Sequence, residues 1–230
     1  MRLDKYISQA TSLTRSQAKQ AIRRGKISND IDTIRSAAYK VATDENIFLE
    51  GKALTVRGPR YIMLNKPLDF ICSTVDEQLP SLLNLIDVEK REQLFIAGRL
   101  DADTTGLTLI TDDGQWSHLI TSPRNKCAKR YRATLAEPLP EDAVEQFKQG
   151  IQLKSENQPC LPATLVNLSA TQVLLTINEC KYHQVKRMFA ALGNRVTALH
   201  REQIGGIELD AELGLGEWRY LTDEEVNGIG

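Results

Sequence analysis

From Tyr61 to His200 the chain presents eight short apolar runs: Tyr61–Asn65, Ile71–Thr74, Leu94–Ala97, Leu107–Thr111, Tyr131–Leu135, Thr164–Leu168, Val173–Asn178 and Val196–His200. Only three helical stretches fall among them, Gly114–Thr121, Glu141–Gly150 and Tyr182–Leu192. Runs of this length bounded by turn residues read as strands, and helices so few and irregular cannot supply the crossovers of repeated βαβ units. The pattern predicts an α+β domain on a mixed, mostly antiparallel sheet with flanking helices and a central cleft. In the last helical stretch Val185, Met188, Phe189 and Leu192 form the apolar stripe, which leaves Lys186 on its flank.

The residues before Tyr61 follow a different period. Leu3, Tyr6, Ile7 and Ala10 recur as one face of a short helix. Thr14-Arg15-Ser16-Gln17 fits a capping box, Ala18, Ala21 and Ile22 form the buried side of a second helix, and Gly25 stands where a left-handed cap ends it. This arrangement leaves Arg15, Lys19, Arg23 and Arg24 off the apolar face. The stretch resembles the S4 RNA-binding module through Arg2-Leu3-Asp4-Lys5, Thr14-Arg15-Ser16-Gln17-Ala18 and Arg23-Arg24-Gly25-Lys26-Ile27. Ile27-Ser28-Asn29-Asp30 lacks the glycine of that module's next turn, so Asn29 or Asp30 is expected to take the left-handed conformation there. Residues 51–59, ending in Gly58-Pro59, read as the linker, which gives an S4-like RNA-binding domain over 1–58 and a catalytic domain over 59–230.

Composition excludes several classes. No stretch approaches the roughly 20 apolar residues of a membrane span, and no secretory leader opens the chain. Cys72, Cys127, Cys160 and Cys180 form no metal-ligand spacing or disulfide framework, so a cytoplasmic protein without metal or cofactor, acting as a monomer, is expected. The net charge of −1 speaks against a nucleic-acid partner only if the charges are evenly spread, and they are not. The windows 1–26, 114–136 and 180–201 together hold 17 of the 29 bases and a single acid, Asp4. Windows of that kind suit a phosphate-binding face.

The densest polar patch is Gly98-Arg99-Leu100-Asp101-Ala102-Asp103-Thr104-Thr105-Gly106-Leu107, read as a loop between two strands. A divalent-cation loop would need a closing Glu, and a phosphate loop would need a Lys after its last glycine; neither is present. A glycosidase carboxylate pair or a single nucleophilic Asp remains.

This loop resembles the signature of the pseudouridine synthases of the RsuA type, in which the Asp of R-L-D is the nucleophile. Leu64-Asn65-Lys66-Pro67, Lys129-Arg130-Tyr131 and Tyr182–Met188 match three further motifs of that family in order. Asp69 departs from it where a glycine is usual. The resemblance implies isomerisation of a flipped-out uridine to pseudouridine in small-subunit 16S ribosomal RNA, with Asp101, Tyr131 and Lys186 as catalytic residues. Asp101 would attack C6 of the uracil or C1′ of the ribose, and both routes stay open. To react it must be ionised beside a cation, which the resemblance assigns to Lys186. Tyr131 offers a ring for the uracil and a phenol for proton transfer. Arg99 is expected to hold the loop or to fill the space left by the extruded base. Arg2, Lys5, Arg15, Lys19, Arg23, Arg24, Lys26, Arg99, Arg124, Lys129 and Arg187 are the expected RNA contacts. Asn65, Lys66, His183 and Gln184 read as structural or RNA-contacting, His118 and His200 as structural or phosphate-facing, and Trp116 as core. The rival readings are a sister synthase acting on 23S rRNA, a non-catalytic S4-type RNA-binding protein, and a nucleoside hydrolase.

Overall fold

The computed structural model describes residues 1–229, which divide into two compact units, residues 1–58 and 59–229.

In the first unit, helix α1 (Leu3–Ala10) packs on α2 (Arg15–Arg23), and a small antiparallel sheet follows: β1 (Ile27–Ser28), β2 (Ile47–Leu49) and β3 (Lys52–Leu54). Gln17 N donates to Thr14 Oγ1 at 3.3 Å and Thr14 N to Gln17 Oε1 at 2.8 Å, so both halves of the capping box are made. Leu3, Ile7, Ala18, Ala21 and Ile22 meet Ile27, Ile34, Val41 and Ile47 in one core. Asp4 is buried, with Arg2 Nε at 3.1 Å, Arg15 Nε at 3.6 Å and Lys19 Nζ at 4.0 Å. The hydrogen bond from Arg2 holds its carboxyl below the usual aspartate range, against the opposing effect of burial. This one acid therefore gathers three of the bases on one side of the helical pair, while Lys5, Arg23 and Arg24 stay exposed.

Two expectations are corrected in this unit. The turn after β1 needs no left-handed residue, because Asn29 Oδ1 accepts from Ile31 N and Asp32 N and closes the turn with its side chain. Gly51 is no linker residue: Glu50 and Gly51, at φ +50° and +80°, make the two-residue hairpin turn between β2 and β3. The connecting segment shrinks to the residues after Leu54.

The second unit is built on a nine-stranded mixed sheet. Its strands are β4 (Tyr61–Lys66), β5 (Phe95–Ala97), β6 (Thr105–Thr111), β7 (Lys129–Leu135), β8 (Thr164–Asn167), β9 (Gln172–Ile177), β10 (Val196–Ile204), β11 (Ile207–Glu208) and β12 (Trp218–Tyr220). Helices α3 (Gly114–Thr121), α4 (Ala143–Gln149), α5 (Gln184–Ala191) and α6 (Asp223–Asn227) are interspersed. The order is β12-β4-β6-β10-β7-β9-β8, with β5 on β6 and β11 on β10, and every pairing is antiparallel except β6 with β10. Ile71–Thr74 is not a strand. It makes one isolated bridge, Ile71 to Ser81, because its polar groups are satisfied within its own loop: Ser81 Oγ donates to Ser73 O, and Ser81 N to Asp76 Oδ1.

One feature of this sheet positions the site. β4 covers one edge of β6 from Gly106 to Thr111, whereas the opposite edge is shared: Thr105 and Gly106 pair with His200 and Arg201 of β10, and Leu109–Thr111 pair with β5. The edge forks between Gly106 and Leu109, and residues 98–104 connect β5 to β6 there. Gly106 is at φ +104°, and a Cβ on it would overlap the backbone of Arg201, so only glycine permits this fork. Thr105 and Gly106, read from sequence as loop, are the first residues of β6, which therefore begins two residues before the predicted strand at Leu107.

Candidate active site

The loop 98–104 is gripped at most of its carbonyl groups. Arg201, on β10, is only 1% exposed, and its Nη2 donates to Gly98 O at 2.9 Å, its Nη1 to Arg99 O at 3.4 Å and its Nε to Leu107 O at 2.8 Å. The guanidinium thus spans the fork from strand to loop. Lys66, fully buried at the end of β4, donates from Nζ to Pro67 O, Ala102 O and Thr104 O at 2.9, 3.2 and 2.9 Å. Burial pushes its pKa down, partly offset by Cys72, Asp103, Asp101 and Asp69. Asp69 N donates to Ala102 O and Thr104 N to Asp101 O, Leu100 N reaches Cys72 Sγ at 3.2 Å, and the Leu100 side chain enters the core. Asp69 stands at φ +63°, so an aspartate, among the better non-glycine residues for that conformation, forms the turn.

The grip presents Asp101, one-third exposed, to a cavity of about 790 Å³ that Arg99, Tyr131, Cys180, His183 and Lys186 also line. Lys186 Nζ lies 3.0 Å from Asp101 Oδ2 and 2.6 Å from Asp103 Oδ1. Val185, Met188 and Phe189 anchor α5 in the same core as Tyr131, which fixes the lysine's flank over the loop. Burial opposes the ammonium, but its hydrogen bonds to Asp103 and Asp101 and their charges outweigh that and raise its pKa. In return the Lys186 hydrogen bond holds the Asp103 carboxyl below its ordinary value.

Tyr131 is 6% exposed, with its hydroxyl 3.5 Å from Arg201 Nη1 and the guanidinium carbon 5.9 Å from its ring centre. Burial pushes its pKa up, against the pull of Arg201, so at neutral pH it is a phenol and not a phenolate. Both raised values carry the same sign for pH. Lys186 keeps its proton up to a pH above the ordinary lysine value, and Tyr131 up to a pH above the ordinary tyrosine value. Turnover is therefore expected to show no alkaline loss from either group between about pH 7 and about pH 9.5; initial rates across that range check this, and a fall with an apparent pKa near 8 would contradict it.

The structure brings Asp101, Tyr131, Lys186, Arg99 and Lys129 to one cavity, and it ties the charged ends of two expected RNA contacts, Lys129 and Arg187, to groups of the protein itself. Lys129 is buried, donating to Cys127 O at 2.8 Å and Ile120 O at 3.3 Å, and burial lowers its pKa. It props the end of α3 and the turn before β7. Arg187 is tied to Glu156 Oε1 at 3.0 Å and to the carbonyls of Tyr182 and Lys154, which leaves its guanidinium little free to meet a phosphate. Arg124 is exposed. Asn65 and Gln184 are structural, His200 Nδ1 meets Thr105 Oγ1 at 2.8 Å, and Trp116 is core, edge-on to Tyr61. His118 is exposed on α3.

Sequence reasoning missed Arg201 and undervalued His183. Arg201 was counted among surface bases, yet strand alternation places it in phase with the buried Leu199, and the same period places Lys129 in phase with Tyr131, Ala133 and Leu135. His183 Nε2 lies 3.3 Å from Asp101 Oδ1, so the two carboxylate oxygens have different partners. Among the described residues no three His, Cys, Asp or Glu side chains gather as a metal site, and no helix is long and apolar enough to cross a membrane.

A carboxylate held beside an ammonium in a cleft suits nucleophilic attack on a bound substrate, and comparison with known proteins shows the family. The profile described as RNA pseudouridylate synthase matches residues 60–191, and the chain belongs to that family. It is 52% identical over 229 residues to the ribosomal small subunit pseudouridine synthase A of Vibrio cholerae, covering 100% of this chain and 99% of that protein. It is 50% identical over 230 residues to the protein of the same name from Escherichia coli, covering both in full. A solved pseudouridylate synthase superposes over the whole of both chains with a TM-score of 0.73 at 44% identity. The chain is therefore an RNA pseudouridine synthase, an isomerase.

Proposed function

We propose that this enzyme converts a uridine of small-subunit ribosomal RNA to pseudouridine, with Asp101 as the nucleophile, Lys186 as its counter-cation and Tyr131 as the ring that receives the extruded uracil. The observation that carries the assignment is the 3.0 Å contact between Lys186 Nζ and Asp101 Oδ2 inside the cavity that Tyr131 lines. The naming of both relatives after the small ribosomal subunit supports the substrate.

The reaction breaks N1–C1′ of the uridine, turns the uracil and joins C5 to C1′; the hydrogen on C5 leaves, and N1 ends protonated, so atoms balance without a co-reactant. Addition of Asp101 at C6 and displacement at C1′ both use its carboxylate as the attacking group, and the Lys186 ammonium stands 3.0 Å from it. A neutral Tyr131 offers an aromatic face and an O–H to the base, a role distinct from that of a resident phenolate base. Reaching the uridine requires its extrusion at a few kcal/mol, which basic side chains around the cavity help to offset. A substrate in ribosome assembly makes the cytoplasm the expected compartment.

Met1–Gly58 is the RNA-binding unit in this reading, an S4-like domain whose exposed Lys5, Arg15, Lys19, Arg23, Arg24 and Lys26, with Arg2, face the phosphates. Reversing both charges, Arg23→Glu with Arg24→Glu, is expected to weaken RNA binding and reduce its salt slope by about 2, while the rate on saturating RNA changes much less. Equal losses in affinity and saturating rate would argue against this division of labour.

Mapping by a chemical adduct that arrests reverse transcription, on small-subunit and large-subunit rRNA in parallel, tests the target. Pseudouridine at one position of the small-subunit RNA is expected. Modification confined to large-subunit RNA, binding without product, or free uracil would each replace the proposal with one of its rivals.

A further inference from the structure

Tyr182 is the most exposed large aromatic side chain among the described residues, at 77%, and yet it is not loose. Its ring lies on the imidazole of His183 with centroids 3.8 Å apart and planes 20° from parallel. His183 is in turn held at its edge: its Nε2 is 3.3 Å from Asp101 Oδ1, and its backbone sits at φ +47° just before α5, a conformation that turns the chain sharply into the helix. Ring, imidazole and carboxylate form a row from the rim of the cavity to its reactive group, and both aromatic residues line that cavity.

A tyrosine that serves packing buries its ring, and one that serves only solubility has no reason to be held flat against a second ring. Here the rotamer is already set and the outer face is in water, so stacking of a further flat ring costs little additional order. Lys181 and Lys186 lie on either side in the sequence, and exposed Arg99 lines the same cavity.

We propose that the Tyr182–His183 stack is a platform for a nucleobase that flanks the target uridine in the RNA strand, holding the backbone while the uridine enters the cavity. Base-on-aromatic stacking of this kind tolerates any base, so the platform contributes affinity and positioning more than sequence choice. The inference rests on the RNA substrate proposed above, and it adds a second point of contact beyond the uridine itself. Tyr131 is buried at the cavity wall and receives the target base, whereas Tyr182, at the rim, meets its neighbour.

The test compares Tyr182→Leu, Tyr182→Phe and His183→Gln with the unaltered protein, using a small-subunit rRNA transcript for both equilibrium binding and steady-state turnover. The leucine variant, altered at an exposed side chain, is expected to fold as the parent does and to raise Kd and KM about tenfold, while kcat falls by less than about twofold. The phenylalanine variant, which keeps the ring, is expected to restore both to within about twofold. His183→Gln removes the ring beneath Tyr182 and is expected to raise Kd by a smaller factor. Unchanged Kd and KM in the leucine variant would overturn the platform, as would a loss confined to kcat, which would assign the ring to Asp101 and not to RNA. If the parent protein binds the transcript without making product, the substrate reading fails, while the ratio of Kd between leucine and phenylalanine variants still decides the platform.

Discussion

Asp101→Asn is expected to lower the single-turnover rate of pseudouridine formation by about 10³-fold or more while leaving affinity for RNA within a few-fold of the parent. The amide keeps the shape of the carboxylate but has no negative charge to attack carbon or to pair with Lys186. Lys186 still meets Asp103 at 2.6 Å, so the helix flank and the loop should keep their places, and the loss should fall on the chemical step. Filter binding beside single-turnover kinetics separates the two quantities. A variant that keeps a tenth of the parental rate would remove Asp101 from the role of nucleophile.

The second large effect is expected at a residue that touches no substrate. Arg201→Met, close in length and apolar, would leave three carbonyls without the donors that now satisfy them, that of Leu107 in the interior and those of Gly98 and Arg99 at its margin. An unsatisfied buried acceptor costs about 1–3 kcal/mol and a partly exposed one less, so a stability loss of about 2–4 kcal/mol is expected in urea unfolding, with unchanged slope. The loop would lose its tether to β10 along with its stability, so the fraction that stays folded should react more than tenfold slower at saturating RNA. Arg201→Lys should not rescue either property, because Leu107 O and Gly98 O are reached by separate nitrogens of the guanidinium, Nε and Nη2, a fork that a lysine does not reproduce. A methionine variant within 1 kcal/mol of the parent would contradict the clamp.

That Asp101, Tyr131 and Lys186 share one cleft was implied by the family resemblance alone; what the residues themselves displayed was the element that carries each, a polar loop between two strands, a strand, and a helix with a clear apolar stripe. The α+β class was legible from such elements. Less visible was how the loop is held. Lys66 and Arg201 are charged, and charge in a sequence reads as surface; their burial depends on carbonyl groups that a tight loop turns inward, a fact of tertiary geometry. Strand alternation did carry a signal, since Arg201 and Lys129 fall on the inward phase of β10 and β7. The short strands β11 and β12 and the helix α6 have too few residues to display a period, and Ile71–Thr74 displayed one without finding a partner strand.

The charge balance takes a different form once the structure is known. Of the three basic windows, the second loses Lys129 and the third loses Arg201 to the interior. In the first, Asp4 is the centre around which Arg2, Arg15 and Lys19 collect. That single acid organises the basic side chains on α2 more than it neutralises them.

An isomerisation initiated by the Asp101 carboxylate keeps the uracil on the enzyme throughout. Small-subunit rRNA carrying tritium at C5 of its uridines tests this at the level of bonds, because joining C5 to C1′ expels the C5 hydrogen to water. The parent protein should release one tritium for each pseudouridine mapped and no free uracil, and Asp101→Asn should release neither in the same interval. Tritium release by the asparagine variant at a rate near the parent's, or free uracil in step with release by the parent, would contradict it.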